Sequence, residues 1–126
     1  MNTKGLKNVN IISRDKYNSL SSLSDDELWC IGVENYVDGD VWCRVYPDGW
    51  CEQGGNFGAA YSSYVTKTFT FLKPFIDTSY CAICMSSHTG DLYYPALQAK
   101  TTTSVTFYGT YNSQGVGNWY ACGYIL

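Results

Sequence analysis

One Cys-x-x-Cys motif, one histidine and a short run of carboxylates are the groups whose type and spacing invite chemistry in these 126 residues. Cys81-Ala82-Ile83-Cys84 matches the half-site of a zinc ribbon or a redox dithiol. A second such pair is missing, and in a strand alternation would send the two thiols to opposite faces. The motif therefore reads as structural core. His88, in Ser86-Ser87-His88-Thr89-Gly90-Asp91, has no Gly-x-Ser-x-Gly elbow with it and reads as a turn residue. Asp38, Asp40, Asp48 and Glu52 stand close together, but three of them lie in glycine-containing turns, where aspartate is ordinary turn chemistry. Asp38-Gly39-Asp40 is also too short for a calcium loop. Nucleophile, base and orienting group are nowhere assembled, so the expectation is a protein that is not an enzyme and carries no cofactor and no metal. A glycan-degrading activity, the competing enzymatic reading, would centre on Glu52 or Asp91.

Aromatic side chains offer a different chemistry. The chain has twelve tyrosines and four tryptophans. Trp29, Trp42 and Trp119 lie in apolar runs and read as core. Tyr61, Tyr64, Tyr93, Tyr94, Tyr108 and Tyr111 fall in or beside loops, where exposed aromatics serve recognition. A platform of such rings, edged by amides and hydroxyls, suits sugars, whose C–H faces stack while their hydroxyls hydrogen-bond. The expected ligand-binding residues are Tyr93, Tyr94, Tyr108, Tyr111 and Asn112.

The elements that must carry these side chains are read from turns and alternation. Pro47-Asp48-Gly49 is a tight-turn signal between the strand-like runs Val41–Tyr46 and Trp50–Gln53, which predicts a β-hairpin. Gly54 and Gly55 either stop the second strand or bring its backbone against a neighbour. From Tyr64 to Leu72, Val65, Lys67, Phe69 and Phe71 share one parity and Thr66, Thr68 and Thr70 the other. That is a half-buried strand with a threonine-lined outer face. Further strands are expected at Leu28–Val33, Tyr80–Met85, Thr102–Tyr108 (Val105 and Phe107 inward) and Trp119–Ile125, with loops at 56–63 and 112–117. Residues 91–101 show no regular pattern. Ahead of all these, residues 1–10 are polar, Ile11-Ile12 is a candidate short strand, and Ser13 looks like the N-cap of a helix over Arg14–Leu23. Closely spaced strands and abundant turns predict an all-β fold, a small antiparallel sandwich. Residues 1–26 form an expected N-terminal attachment segment with a short helix, and 27–126 the sandwich domain.

Composition narrows the function. A net charge of −3, with no basic run, leaves nothing to neutralise phosphates and argues against nucleic acid. No segment has the ~20 apolar residues of a membrane span, and the N-terminus lacks the apolar core of a signal peptide. Six cysteines sit inside apolar runs, as reduced thiols do in a protein folded in cytoplasm.

From Trp42 to Leu126 the chain resembles the C-terminal tip domains of bacteriophage tail fibres and related receptor-binding proteins. The likeness rests on the hairpin YPDGWCEQGG (Tyr46–Gly55), the strand and turn FTFLKPFIDTSY (Phe69–Tyr80), the strand TTTSVTF (Thr101–Phe107) and the closing WYACGYI (Trp119–Ile125). The leader, a short helix before a strand, resembles fibre and baseplate joints. This resemblance implies a β-sandwich that forms a homotrimer about the fibre axis and contacts a host-surface glycan or protein without enzymatic action. It also implies docking of the N-terminal segment onto a larger tail-fibre or baseplate protein, and a virion location after assembly in host cytoplasm. A virion decoration or tail protein with no host contact is the alternative.

Overall fold

The computed structural model describes residues 8–22, 27–56, 61–86, 95–112 and 117–126. They fall into two compact units, Met1–Glu34 and Asn35–Leu126.

In the first unit, strand β1 (Asn8–Ile12) pairs in parallel with β2 (Glu27–Ile31) in the register Asn8↔Glu27 to Ile12↔Ile31. Between them lies helix α1, Arg14–Asn18. Ser13 caps it as expected: its backbone is extended and its Oγ accepts from Lys16 N at 3.2 Å. The helix ends at Asn18, five residues before the expected Leu23. Asn18, Ser19, Ser21 and Ser22 are weak helix formers that compete for backbone groups, and Ser19 closes the turn with its Oγ on Lys16 O at 2.7 Å. β2, expected to open the sandwich, thus belongs to a parallel pair in the N-terminal unit.

The second unit is the antiparallel sandwich. One sheet runs β3-β4-β5-β10-β7, formed by Glu34–Asp38, Val41–Val45, Trp50–Asn56, Gly117–Tyr124 and Cys81–Ser86. The other runs β6-β9-β8, formed by Tyr61–Thr70, Ser104–Asn112 and Ala96–Lys100. Alternation faces Cys43, Val45, Cys51, Gln53, Trp119 and Ala121 of the first sheet inward toward Phe69, Val105 and Phe107 of the second, and all are buried. Phe69 stacks on Trp119 at 5.2 Å between centroids, with Phe107 6.3 Å from Phe69. The threonine-lined outer face is present too, with Thr68 Oγ1 2.9 Å from Thr106 Oγ1 across β6 and β9.

The hairpin β4–β5 forms at the expected turn. Gly49 sits at φ +88°, which a side chain would strain; its N–H donates to Tyr46 O, and Asp48 Oδ1 accepts from Trp50 N. The C-terminus is fastened there as well, Ile125 N donating to Gly49 O at 3.0 Å. Gly54 and Gly55 do not stop β5, which runs on to Asn56. They serve the other role: a Cβ on Gly54 would stand 2.6 Å from Trp119 O, and one on Gly55 2.8 Å from Asp40 O.

Between β6 and β7 the chain Leu72–Tyr80 has no strand, and buried Gln53 holds it. Gln53 Nε2 donates to Lys73 O at 2.7 Å, and Gln53 Oε1 accepts from Lys73 N at 3.2 Å. Phe75 and Tyr80 stack at 4.4 Å, and Tyr80 Oη donates to Thr101 O and Ser104 O at 3.0 and 2.9 Å. Burial pushes the Tyr80 phenol up to about 12.

Two strands fall where none was expected. β3 (ENYVD) has one half-buried ring, Tyr36, with Lys73 Nζ 4.0 Å above its centroid. β8 (ALQAK) lies in the stretch without pattern and is exposed along most of its length. Both are edge strands, held by pairing with a neighbour.

Candidate functional site

Tyr108 is the one expected binding residue whose side chain is described. It is 56 % exposed, on β9 opposite Ala96. Tyr111 and Asn112 lie at the end of β9, with Asn112 opposite Tyr61 of β6. Tyr93 and Tyr94 lie outside the described residues, as do His88 and Asp91. The described part of the expected platform is thus an exposed tyrosine leading to the far end of the smaller sheet.

The Cys-x-x-Cys motif behaves as alternation requires. Cys81 is exposed on the outer face of β7, while Cys84 turns inward and burial raises its thiol to about 12. The two cannot grip one ion from opposite faces. Across the strand, Cys81 instead stands opposite Cys122 of β10. Buried Cys43 and Cys51 lie 3.4 Å apart, and that hydrogen bond together with burial keeps Cys51 protonated. Because the thiolate is the nucleophile, iodoacetamide at pH 8 should modify Cys81 well before Cys84 or Cys51. A pKa near 12 leaves about one Cys84 thiolate in ten thousand at that pH. Peptide mass mapping of briefly labelled native protein measures the order.

Glu52, the carboxylate of the enzymatic reading, sits on the outer face of the larger sheet between two phenols. Tyr120 Oη donates to its Oε1 at 2.8 Å and Tyr46 Oη to its Oε2 at 3.0 Å. Burial and the Glu52 carboxylate raise the Tyr120 phenol. Trp42 lies 6.2 Å from the Tyr120 ring, and exposed Ile83 and Met85 extend this aromatic and apolar face along β7. Glu52 is therefore a tied acceptor on an aromatic and apolar face.

Among the described residues, clefts open at two places on the sandwich. One, of about 270 Å³, lies at the hairpin end, where Trp50 and Tyr124 meet edge to face at 5.1 Å beside Ile76, Asp77, Cys81 and Cys122. The other, of about 460 Å³, lies where β6 passes the Asp38–Val41 turn and the end of β5. Its walls are Asp38, Val41, Asn56, residues 68–72 and Trp119. Trp119 is 2 % exposed, and among the described residues its indole N–H has no hydrogen-bond partner. The sequence gives no hint of this cleft, because its walls come from four separate stretches and Trp119 reads simply as core.

No family model and no curated protein matches the sequence. Solved structures do match. An N-truncated R2-type pyocin tail fibre is 21 % identical, with a TM-score of 0.50 over 74 % of this chain and 38 % of that one. The fold is a tail-fibre fold. A second R2 pyocin fibre, from P. aeruginosa, is 22 % identical over 74 % of this chain and 26 % of its own, with a TM-score of 0.45. The chain spans well under half the length of either fibre, so the likeness covers one part of a tail-fibre architecture. Among the described residues no helix is long and apolar enough to cross a membrane.

Proposed function

We propose that the chain is a tip or receptor-binding module of a phage or prophage tail fibre, attaching the particle to a host-surface glycan or protein. The observation that carries this reading is the fold likeness to a pyocin tail fibre over 74 % of the chain. Its surface supports it: Val37, Trp42, Ile83, Met85 and Tyr124 stand exposed on the larger sheet and Tyr108 on the smaller, apolar side chains that a partner would cover.

The module acts as a homotrimer, in which neighbouring copies cover part of that apolar surface and the edge strands beside it. Three weak sites on one axis, multiplied over several fibres, yield firm attachment without a tight individual contact. The N-terminal unit, with Val9, Ile11, Leu28 and Val33 exposed, docks onto a larger fibre or baseplate protein. The chain performs no hydrolysis on its ligand and resides in the virion after assembly in host cytoplasm.

Purified protein is expected to adsorb to host cells or to their isolated envelope glycans and to give a trimeric mass in native mass spectrometry. Adsorption to neither, by a protein of trimeric mass, would transfer the reading to a tail component without host contact. Release of reducing ends from host polysaccharide, abolished in Glu52→Gln, would replace it with an enzyme.

A further inference from the structure

We propose that Cys81 and Cys122, opposite each other on the outer face of the larger sheet, are a redox-active dithiol that closes to a reversible disulfide within the chain by exchange with a small disulfide such as that of glutathione.

Strand register brings the two thiols together. Cys81 opens β7 and pairs with Cys122 of β10, and side chains of directly opposed residues share a face. Ile83 and Met85, in step with Cys81, stand exposed on that face. Both cysteines also line the 270 Å³ cleft at the hairpin end. Cys81 is exposed and Cys122 half-buried, so a dissolved reagent reaches the pair.

The ladder fixes how far apart their backbones lie. Trp50 O accepts from Tyr46 N, on the β4 side of β5, so Trp50 and its partner Tyr124 form a pair without mutual hydrogen bonds. Tyr124 therefore turns its N–H and C=O away from β5, and its C=O accepts instead from Ile76 N. Two residues back, Cys122 turns the same way, toward β7. Cys81 and Cys122 are thus a hydrogen-bonded pair, whose Cα atoms stand about 5.5 Å apart. A disulfide takes Cα separations of about 4.4–6.8 Å. Its Cβ atoms sit closer, at about 3.5–4.5 Å, than such a pair ordinarily holds them, so closure draws the strands together. β7 is the outermost strand of its sheet and Cys81 its first residue, where such a shift disturbs least. A bond closed under strain and open to solvent is the kind that thiols reopen. Closure ties the edge strand to β10 beside Trp50 and Tyr124, so the hairpin-end cleft differs between the two redox states.

The other cysteines do not compete. Cys43 and Cys51 lie 3.4 Å apart but are 1 % and 0 % exposed, beyond the reach of a dissolved disulfide. Cys84 turns inward, and Cys30 belongs to the N-terminal unit.

The exchange runs in two steps. The Cys81 thiolate attacks one sulfur of glutathione disulfide, whose S–S bond breaks; one glutathione thiolate leaves, and the other glutathione stays on Cys81. Burial and, to a smaller degree, the nearby Cys81 charge raise the Cys122 thiol. Cys81 bears no charge in the mixed disulfide, so that smaller part is lifted. Cys122 then gives its proton to water and attacks the Cys81 sulfur, expelling the second glutathione. The two cysteines have lost two electrons and two protons, and one glutathione disulfide has become two glutathione molecules.

The test incubates native, full-length protein with glutathione disulfide at pH 8, quenches with acid, and reads intact mass and linked peptides. The expected product is two hydrogens lighter and carries one disulfide, which fragment ions place between Cys81, rather than Cys84, and Cys122. Excess reduced glutathione is expected to reopen it without denaturant. Cys122→Ser should stop with one glutathione on Cys81, in at least about tenfold greater amount than wild type accumulates, since wild type has the second thiol held within reach. A wild-type product that keeps glutathione on Cys81 with Cys122 free overturns the proposal, as does a bond between Cys43 and Cys51. Failure of the thiols to react at all, or a bond that excess glutathione leaves closed, overturns it too.

Discussion

Phe107→Ala is expected to remove about 3–5 kcal/mol from the stability of the sandwich unit and to lower its Tm by at least about 12 °C. Phe107 is 2 % exposed and lies between the sheets beside Phe69. Its ring contacts side chains that strand pairing holds in place, so a cavity left there cannot collapse fully. A domain of this size has about 5–15 kcal/mol in all, and one truncation would remove a fifth or more. The adjacent Tyr108→Ala supplies the contrast. Tyr108 is 56 % exposed on the opposite face, so its truncation should cost under about 1 kcal/mol. Thermal and urea melts of the two variants read the alternation of β9 directly. Equal losses would mean that the strand does not present one face to a core.

The same alternation explains how much of the architecture the sequence discloses. Val65, Lys67, Phe69 and Phe71 against three threonines identify β6, and Val105 with Phe107 identifies β9, because each strand buries one face and wets the other. The β4–β5 hairpin is legible from Pro47-Asp48-Gly49 alone, since the turn conformation is a local matter of φ. β3 and β8 are not legible. ENYVD and ALQAK are mostly exposed, so burial writes no period into them and the partner strand makes the element. The parallel β1–β2 pair escapes for another reason: Ile11-Ile12 announces a strand but not its partner, which lies across a helix. Gly54-Gly55 leaves two readings open until Trp119 O and Asp40 O are seen beside them.

Site residues divide along the same line. Exposed Tyr108 follows from parity within one strand. Cys81 facing Cys122 depends on the register of β7 against β10, which composition does not encode. The cleft at Trp119 draws its walls from four separate stretches of the chain, and Trp119 itself reads as core.

Gln53→Leu is expected to cost about 2–4 kcal/mol although it exchanges a buried polar side chain for an apolar one of similar size. Gln53 is fully buried, and its amide both donates to Lys73 O and accepts from Lys73 N, as a strand neighbour would. Leucine leaves that N–H and C=O without partners under the Leu72–Tyr80 connection. Gln53→Glu separates the donor from the acceptor. At neutral pH it keeps the acceptor for Lys73 N, sets a carboxylate against Lys73 O and buries a charge, so it should be less stable than Gln53→Leu. Burial raises the folded-state pKa of such a carboxyl above its unfolded value near 4.3. Its stability is then greatest below the unfolded value and is lost as pH rises through the folded one. Urea melts from pH 4 to pH 8 should therefore show the gap between Gln53→Glu and wild type widening with pH, while the gap for Gln53→Leu stays level. A glutamate variant with no such pH dependence would mean that the side chain escapes to solvent, and that the connection over the core is held by something other than this amide.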